Sequence, residues 1–355
     1  MLAAHSRRKP FPERDLSDIE ERVERSRQRY LSDLGSLPDP LGRICAEFYA
    51  QRVQRVRPRP LLGEYLPWLL GDVFAIDSEH VARLSSAWLS LYLHVLALDD
   101  LLDDSNDVDR STLPIVSSVL AERAFMGYLE IVGTDRRFWS SFETFFLSTG
   151  IAGTREMIEN RGRPVSITPE DLDRVGEKID LVKICYLSLA LTAGIDPSDM
   201  ALAALSDFET GVQLLDDVSD WDEDLALQSF TPLLSLAFAG MPPGVACALP
   251  RAEVLFRLIS TGALGRCLDE AIDRLDRAAA VVSHRPEAAG VSLLSTMTSN
   301  TRWLRRQEQK AARILTREGA RVGLASPAGV LAISARARSA VAALDRSIKV
   351  VAQSS

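Results

Sequence analysis

The chain offers no cysteine framework: Cys45, Cys185, Cys247 and Cys267 occur singly, with no C-x-x-C and no paired spacing. They read as reduced core thiols of a cytoplasmic protein. Basic charge is also scarce, with 41 Lys and Arg against 49 Asp and Glu and a net charge of −8. No Lys/Arg-rich groove with interleaved aromatics is visible, so a nucleic-acid partner is not expected. An anionic substrate must then be held locally, through metal ions and a few basic residues. No apolar run follows the Arg and Lys residues of Met1 to Arg14, so a secretory signal is not expected. The longest apolar stretch, Leu233 to Leu249, is broken by Gly240, Pro242 and Pro243, and no membrane span is expected. Strand alternation, repeats and low-complexity linkers are missing as well.

What is present is apolar, Leu- and Ala-rich helix. At 355 residues with 46% apolar and 25% charged composition, the chain can bury a substantial core. We expect an all-α single-domain bundle over residues 39-355, preceded by a charged N-terminal extension over 1-38. Within that extension Leu16 to Leu34 reads as a charged helix that is solvent-exposed or holds a partner. Helices are expected over 41–56 and 78–104, the latter capped by Asp77-Ser78, and over 111–132, 135–160, 169–193, 198–224, 229–239, 251–282, 288–318 and 328–350. Thr168-Pro169-Glu170-Asp171 is a helix start with cap, first-turn proline and acidic residues.

Two acidic clusters of one form stand out, Asp99-Asp100-x-x-Asp103 and Asp216-Asp217-x-x-Asp220, whose first residues are 117 positions apart. On a helix, i and i+4 lie about 40° apart and i+1 and i+4 about 60° apart, so each trio can face one way. Each cluster ends an apolar run, Trp88 to Leu98 and Gly211 to Leu215. Carboxylates gathered where a buried helix emerges repel one another and lose hydration, so they need a cation. Hard oxygen ligands suit Mg²⁺ better than zinc or copper. A calcium loop fails at Val108 and Pro114 after the first cluster and at Leu225 and Thr231 after the second. One such cluster alone is commonly an acidic helix end; two facing each other would define a metal-binding rim over an apolar floor.

The stretch Gln213-Leu214-Leu215-Asp216-Asp217-Val218-Ser219-Asp220 resembles the second aspartate-rich motif of trans-prenyl diphosphate synthases, F-Q-x-x-D-D-x-x-D, with Val212 in place of Phe. The first cluster is similar to their first motif and to the D-D-x-x-D of class I terpene synthases. The resemblance implies an isoprenoid-synthase fold in which Asp99, Asp100, Asp103, Asp216, Asp217 and Asp220 hold Mg²⁺, three ions in all, around a diphosphate. It further implies catalytic roles for Asp100, Asp217 and Lys183, the lysine resembling one that touches diphosphate. Lys178 and Arg155 are secondary candidates, Gln213 belongs to the motif, and Arg305 within Arg302-Trp303-Leu304-Arg305-Arg306 is a candidate lid contact. A homodimer is also implied. For each basic residue a solvated helix face is the competing reading.

The chain departs from chain-elongating synthases before its first cluster. Where they carry G-G-K-R-x-R-P, it has Arg55-Val56-Arg57-Pro58-Arg59-Pro60. Arg57 and Arg59 are remnants of a site for a second diphosphate or simply a basic turn. Only Arg110 follows the first cluster, and the N-D-x-x-S-x-x-x-E motif of bacterial terpene synthases is missing. We therefore expect an enzyme that ionises one allylic prenyl diphosphate, releases pyrophosphate and turns the cation into a terpene. The alternatives are prenyl transfer to isopentenyl diphosphate or another acceptor, and a helical scaffold without catalysis. Trp68, Trp88, Tyr92, Phe146 and Tyr186 are candidate cation-facing aromatics, with ordinary core packing as the competing reading. His94 is weighed in the same way, and Leu91, Val95, Leu187 and Leu191 are candidates for the floor.

Overall fold

The computed structural model describes residues 13–56, 61–102, 110–284, 288–322 and 327–352. Among these the regular elements are helical, and one isolated β-bridge joins Arg161 to Ser229. The first helices are α1 Glu13–Gly35, α2 Leu41–Val56, α3 Leu62–Val73, α4 Ser78–Leu102, α5 Leu113–Val132 and α6 Arg136–Arg155. A π turn over Glu156–Asn160, α7 Pro169–Arg174, a 3-10 turn over Val175–Ile179 and α8 Leu181–Thr192 follow. Then come α9 Asp199–Ser219, α10 Trp221–Ala226, α11 Pro232–Phe238, α12 Pro243–Cys247 and α13 Arg251–Ser260. The chain ends with α14 Ala263–Val282, α15 Ala289–Val322, α16 Pro327–Ile333 and α17 Ala335–Ala352.

The two cluster-bearing helices, α4 and α9, run through the bundle. Leu84, Leu91, Leu93 and Ala97 of α4 are fully buried. Burial of each large side chain is worth about 1.5–3 kcal/mol, which outweighs the cost of the few polar groups that α4 also buries. α4 is long and apolar enough to cross a membrane by length and composition, a property the sequence reading assigned to no segment. Its residues are mostly packed inside the protein, as in a core helix. Asp77 caps it as expected, its Oδ1 accepting from the Glu79 and His80 amides at 2.9 and 3.3 Å.

α1 is not a free charged helix. Its Ile19, Val23, Tyr30 and Leu34 are buried in the bundle, and Arg27 donates twice to Glu64 of α3, at 2.9 and 2.8 Å. Of the Arg and Glu residues seen in sequence, Arg25 and Glu21 pair on its outer face, whereas Arg27 joins Glu24 to the buried Glu64.

α3 was not anticipated, because Pro67 lies inside it. Proline removes the hydrogen bond to the carbonyl four residues back, here that of Gly63. That carbonyl instead accepts the Trp88 indole N–H of α4 at 2.8 Å, so the lost helical bond is replaced across the helix pair. Four expected helices are also broken, among them 198–224, which divides into α9 and α10, and 328–350, which divides into α16 and α17. The run 251–282 turns at Gly262, whose φ of +76° lies in the left-handed region. The run 169–193 breaks into α7, the 3-10 turn and α8, where Gly176 lies against α9: a Cβ there would stand 2.6 Å from the Thr210 amide nitrogen. The Thr168 capping box forms as read, with Asp171 closing it.

Close approach makes Gly63 a sensitive point, since an added Cβ would lie 2.3 Å from the Tyr92 ring. Gly63→Ala is expected to destabilise the fold by about 1–3 kcal/mol through overpacking. Urea denaturation measures this, and an unchanged midpoint would contradict the tight α3/α4 contact.

Candidate active site

The first cluster sits in the last turn of α4. Asp99 is exposed, whereas Asp100 is buried at 6% and ion-paired to Arg52 of α2. Arg52 also donates to the Leu96 carbonyl at 3.2 Å, which fixes it against the same turn. Asp103 lies outside the described residues, as do Arg57 and Arg59.

The second cluster closes α9. Glu209, Gln213 and Asp217 recur every fourth residue, so they share the inner face of the helix, and all three are buried. The Gln213 amide donates to Asp216 and Asp217, each at 3.3 Å, and so spans the pair. Asp216 stands at the exposed rim, and Asp220 is the exposed C-cap.

Lys178, on the 3-10 turn, links the clusters. Burial works against its charge, but Glu156, Asp217 and Asp99 together outweigh this and raise its pKa. Its ammonium is ion-paired to Glu156 at the start of the π turn, and Glu156 in turn accepts from Ser229 at 3.2 Å. Tyr92, two turns before Asp99, feels both clusters: burial lifts its hydroxyl to about 12, with Asp216 and Asp99 adding to the effect. One ammonium and one phenol therefore lie within the field of both aspartate groups. The ends of α4 and α9 form a single basin.

The basin is over-supplied with negative charge. Burial, then the neighbours Glu156 and Asp216, push Asp217 up to about 7 despite Lys178. Asp224 of α10 is pushed up to about 9 by burial and then by Asp217 and Glu156. Asp216 is raised too, mainly by desolvation: water reaches its edge, but protein surrounds it. The sequence reading missed Glu156 and Asp224. Asp224 belongs to an acidic run, Asp222-Glu223-Asp224, that directly follows the cluster, whereas nothing local marks Glu156.

These residues fit a hard dication. The donors are carboxylate oxygens, and Asp217 Oδ2 is buried without a hydrogen-bond partner. Among the described residues, no three His, Cys, Asp or Glu side chains close on a point as a self-sufficient metal site. Any ion here takes much of its shell from water or from the ligand it binds.

Lys183 has a different setting from the one expected of a diphosphate contact. It is buried, ion-paired to Asp180 and at 2.8 Å to Glu209, and placed over the Phe145 ring. Glu209 is fully buried, and burial drives its pKa well above normal against the pull of Lys183. This cluster and the Gly176 contact join the turn that carries Lys178 to the inner face of α9. Arg305 is likewise engaged elsewhere, bidentate to Asp269 at 2.7 Å twice and paired to Glu308, so the structure gives it no lid contact. Arg155 pairs with Glu177 at 3.7 Å, Arg302 with Asp276, and Arg110 donates to the Leu101 carbonyl. His94 is a core residue bonded to Ser117 at 2.9 Å, and burial lowers its pKa.

Two outcomes follow. Asp217 has a folded pKa near 7 against an ordinary 3.8, so the stability it contributes to the metal-free protein is present below pH 3.8 and lost as pH rises through 7. Asp217→Asn should therefore gain stability over the wild type by on the order of 2 kcal/mol between pH 5 and 8. Urea denaturation in EDTA measures the difference, which should vanish or reverse with a divalent cation. Separately, Lys183→Met leaves Glu209 and Asp180 buried without their cation and should cost about 3–5 kcal/mol. A loss below about 1 kcal/mol, read by the same denaturation, would show that Lys183 does not hold the turn.

No protein-family profile and no curated protein sequence matches the chain. Solved structures do. A polyprenyl synthase from Caulobacter crescentus CB15, complexed with calcium and isoprenyl diphosphate, is 19% identical with a TM-score of 0.65, covering 82% of this chain and 99% of that one. Heptaprenyl diphosphate synthase from Staphylococcus aureus gives 14% identity and a TM-score of 0.65, over 79% and 98% of the two chains. Geranylgeranyl pyrophosphate synthase from Lactobacillus brevis gives 17% and 0.62, over 82% and 97%. The likeness spans nearly the whole length of each of these proteins, and the chain has the all-α isoprenoid-synthase fold of the trans-prenyl diphosphate synthases.

Proposed function

We propose that the protein is a divalent-metal-dependent prenyltransferase that ionises an allylic prenyl diphosphate and couples the allylic cation to isopentenyl diphosphate or another acceptor. The observation that carries this is the meeting of two carboxylate groups around Lys178 and Tyr92, at the head of an apolar core. The similar structures are named as prenyl diphosphate synthases, which favours intermolecular coupling over the terpene-forming reading.

In this reading Asp99, Asp100, Asp216, Asp217 and Asp220 hold Mg²⁺, in a set of three ions. When bound, the ions neutralise the charge that grows on diphosphate as the allylic C–O bond breaks. Lys178 donates to a diphosphate oxygen from one side and exchanges its bond to Glu156 for that contact. Gln213 holds Asp216 and Asp217 in one orientation, and Arg52 does the same for Asp100. The bonding pair of the C–O bond leaves with diphosphate. The cation, facing Tyr92 and the apolar floor, takes an electron pair from the acceptor's double bond, and a proton is then lost from the adduct. Water must stay out until that step is over, which the buried aliphatic residues below the rim ensure.

One observation keeps the cyclising reading in play: Arg55-Val56-Arg57 stands where a Gly-Gly-Lys head would hold a second diphosphate. Self-association is part of the proposal as well. Ile115, Phe125, Met126 and Leu129 of α5 are exposed, as are Leu147 and Ile151 of α6, and a second copy of the chain would cover them.

Incubation with Mg²⁺ and geranyl, farnesyl or geranylgeranyl diphosphate, with and without isopentenyl diphosphate, tests the chemistry by pyrophosphate release and product mass. We expect turnover that needs the acceptor, and a fall of about 10²–10³-fold in kcat for Lys178→Met and for Asp217→Asn. A hydrocarbon product without acceptor would replace coupling by cyclisation. Unchanged rates in both variants would overturn the assignment of the basin, and no turnover with any of these substrates would leave a helical scaffold.

A further inference from the structure

The basic segment Arg302-Trp303-Leu304-Arg305-Arg306, which the basin does not use, opens a longer pattern. From residue 302 to the end the chain holds eleven Lys and Arg against three acids, a net charge of +8, so the preceding residues carry −16. Arg302, Arg306, Lys310, Arg313, Arg317 and Arg321 of α15 follow one another at steps of three or four. At about 100° per residue all six fall within a sector of about 100°, along about 29 Å of helix. All are exposed, and the opposite face, with Leu304, Ala311 and Leu315, is buried.

Three features separate this stripe from an ordinary solvated face. No acid of α15 stands within it, whereas the outer side of α14 mixes both signs and cross-links them, as Arg274 does with Glu270 and Arg277 with Asp207. Its members are neighbours at i, i+3 or i, i+4, the spacing at which equal charges destabilise a helix. Ion pairing also leaves its centre uncompensated. Arg302 pairs with Asp276 at 2.5 Å and Arg321 with Glu318 at 2.9 Å, while Arg305, beside the stripe, takes both Asp269 and Glu308. Arg306, Lys310, Arg313 and Arg317 pair with no carboxylate among the described residues, and Arg336 of α17 adds its charge near Glu318. With every partner counted, and the exposed Asp273 of α14 as well, these eight cations face five acids and leave an excess of three.

What can meet such a surface follows from its shape. It is the convex side of a helix, with Trp303 turned partly into the core, so it offers neither a groove nor the stacking aromatics of nucleic-acid binders. It has no apolar centre either, which the core of a protein interface needs. A bilayer with anionic headgroups makes neither demand, and a cluster of about four to eight Lys and Arg on a helix suits it. We propose that the outer face of α15 docks the protein on an anionic phospholipid surface, with Arg306, Lys310, Arg313 and Arg317 as the main contacts. Attachment is electrostatic and peripheral, since the six side chains of the stripe are all charged and none enters the lipid. The inference stands on charge and does not rest on the prenyltransferase reading.

Co-sedimentation of the full chain in EDTA with vesicles of phosphatidylcholine alone, or with about 30% phosphatidylglycerol added, tests this. EDTA prevents divalent ions from bridging the aspartate basin to the lipid. We expect partition onto the anionic vesicles only, falling at least about tenfold between about 50 and 500 mM sodium chloride as the charges are screened. Each cation near the surface is worth about fivefold in affinity, so Lys310→Gln/Arg313→Gln/Arg317→Gln should weaken binding by about a hundredfold. Arg29→Gln/Arg83→Gln/Arg136→Gln removes three exposed charges elsewhere and should weaken it by less than about threefold. Asp217→Asn should bind as the wild type does, which separates the result from the fate of the basin. Equal partition onto neutral vesicles, equal losses in the two triple variants, or binding insensitive to salt would overturn the proposal. Absence of vesicle binding, with light scattering showing that only the stripe variant loses a dimer, would give the face to a second copy and overturn it as well.

Discussion

The fold depends on a conflict of charge. Asp99, Asp216, Asp217, Glu156 and Asp224 are brought to one place where the described structure supplies a single ammonium among them, that of Lys178. Like charges this close, and partly dehydrated, cannot all remain ionised without more positive charge. The metal-free protein meets the excess by keeping protons on the second cluster, as the raised pKa of Asp217 records. A dication would do the same and release those protons. Affinity for hard cations is thus the other side of a cost already built into the bundle.

Placing that ammonium takes backbone irregularity. The π turn at Glu156 and the 3-10 turn at Lys178 are the non-α segments flanking the basin, and each presents one half of the same ion pair. A regular helix over 169–193 would carry Lys178 and Lys183 on one rod, about 140° apart. The break lets one lysine face the aspartates and turns the other into the core, where Asp180 and Glu209 hold it. Gly176 makes the break possible, because any side chain there would strike Thr210. Two lysines with acidic neighbours five positions apart thereby have different settings, one at the rim and one as an anchor.

This division explains what the sequence could and could not convey. The helical class, the caps at Asp77 and Thr168, and the aspartate clusters were legible, since each rests on local spacing within a turn or two. Lys183 read as the better basic candidate because its surroundings are apolar, yet an apolar setting describes a buried anchor equally well. What separates it from Lys178 is contact with Glu209, more than twenty residues away, and local pattern does not carry such contacts. α3 was hidden for a related reason. Pro67 signals a break, and the acceptor it frees is satisfied only by Trp88 of another helix. The charged face of α1 concealed four buried residues on the other side. Glu156 had no local mark at all, because its role arises from where α6 ends relative to the second cluster.

Seen as a whole, polar groups enter the bundle in separate depots. Arg27, Tyr49 and Glu64 tie α1 and α2 to α3, Lys183 with Asp180 and Glu209 ties α8 to α9, and Arg251 joins Asp222 of α10 to Asp345 of α17 while covering the Trp221 ring at 4.5 Å. In each of these, every acid has a basic partner. The basin departs from this rule in the negative direction. Imbalance left in a fold that elsewhere pairs its buried charges is costly unless a ligand of opposite sign completes it. The same electrostatic argument therefore assigns cations to the end of α4 where the two aspartate groups meet.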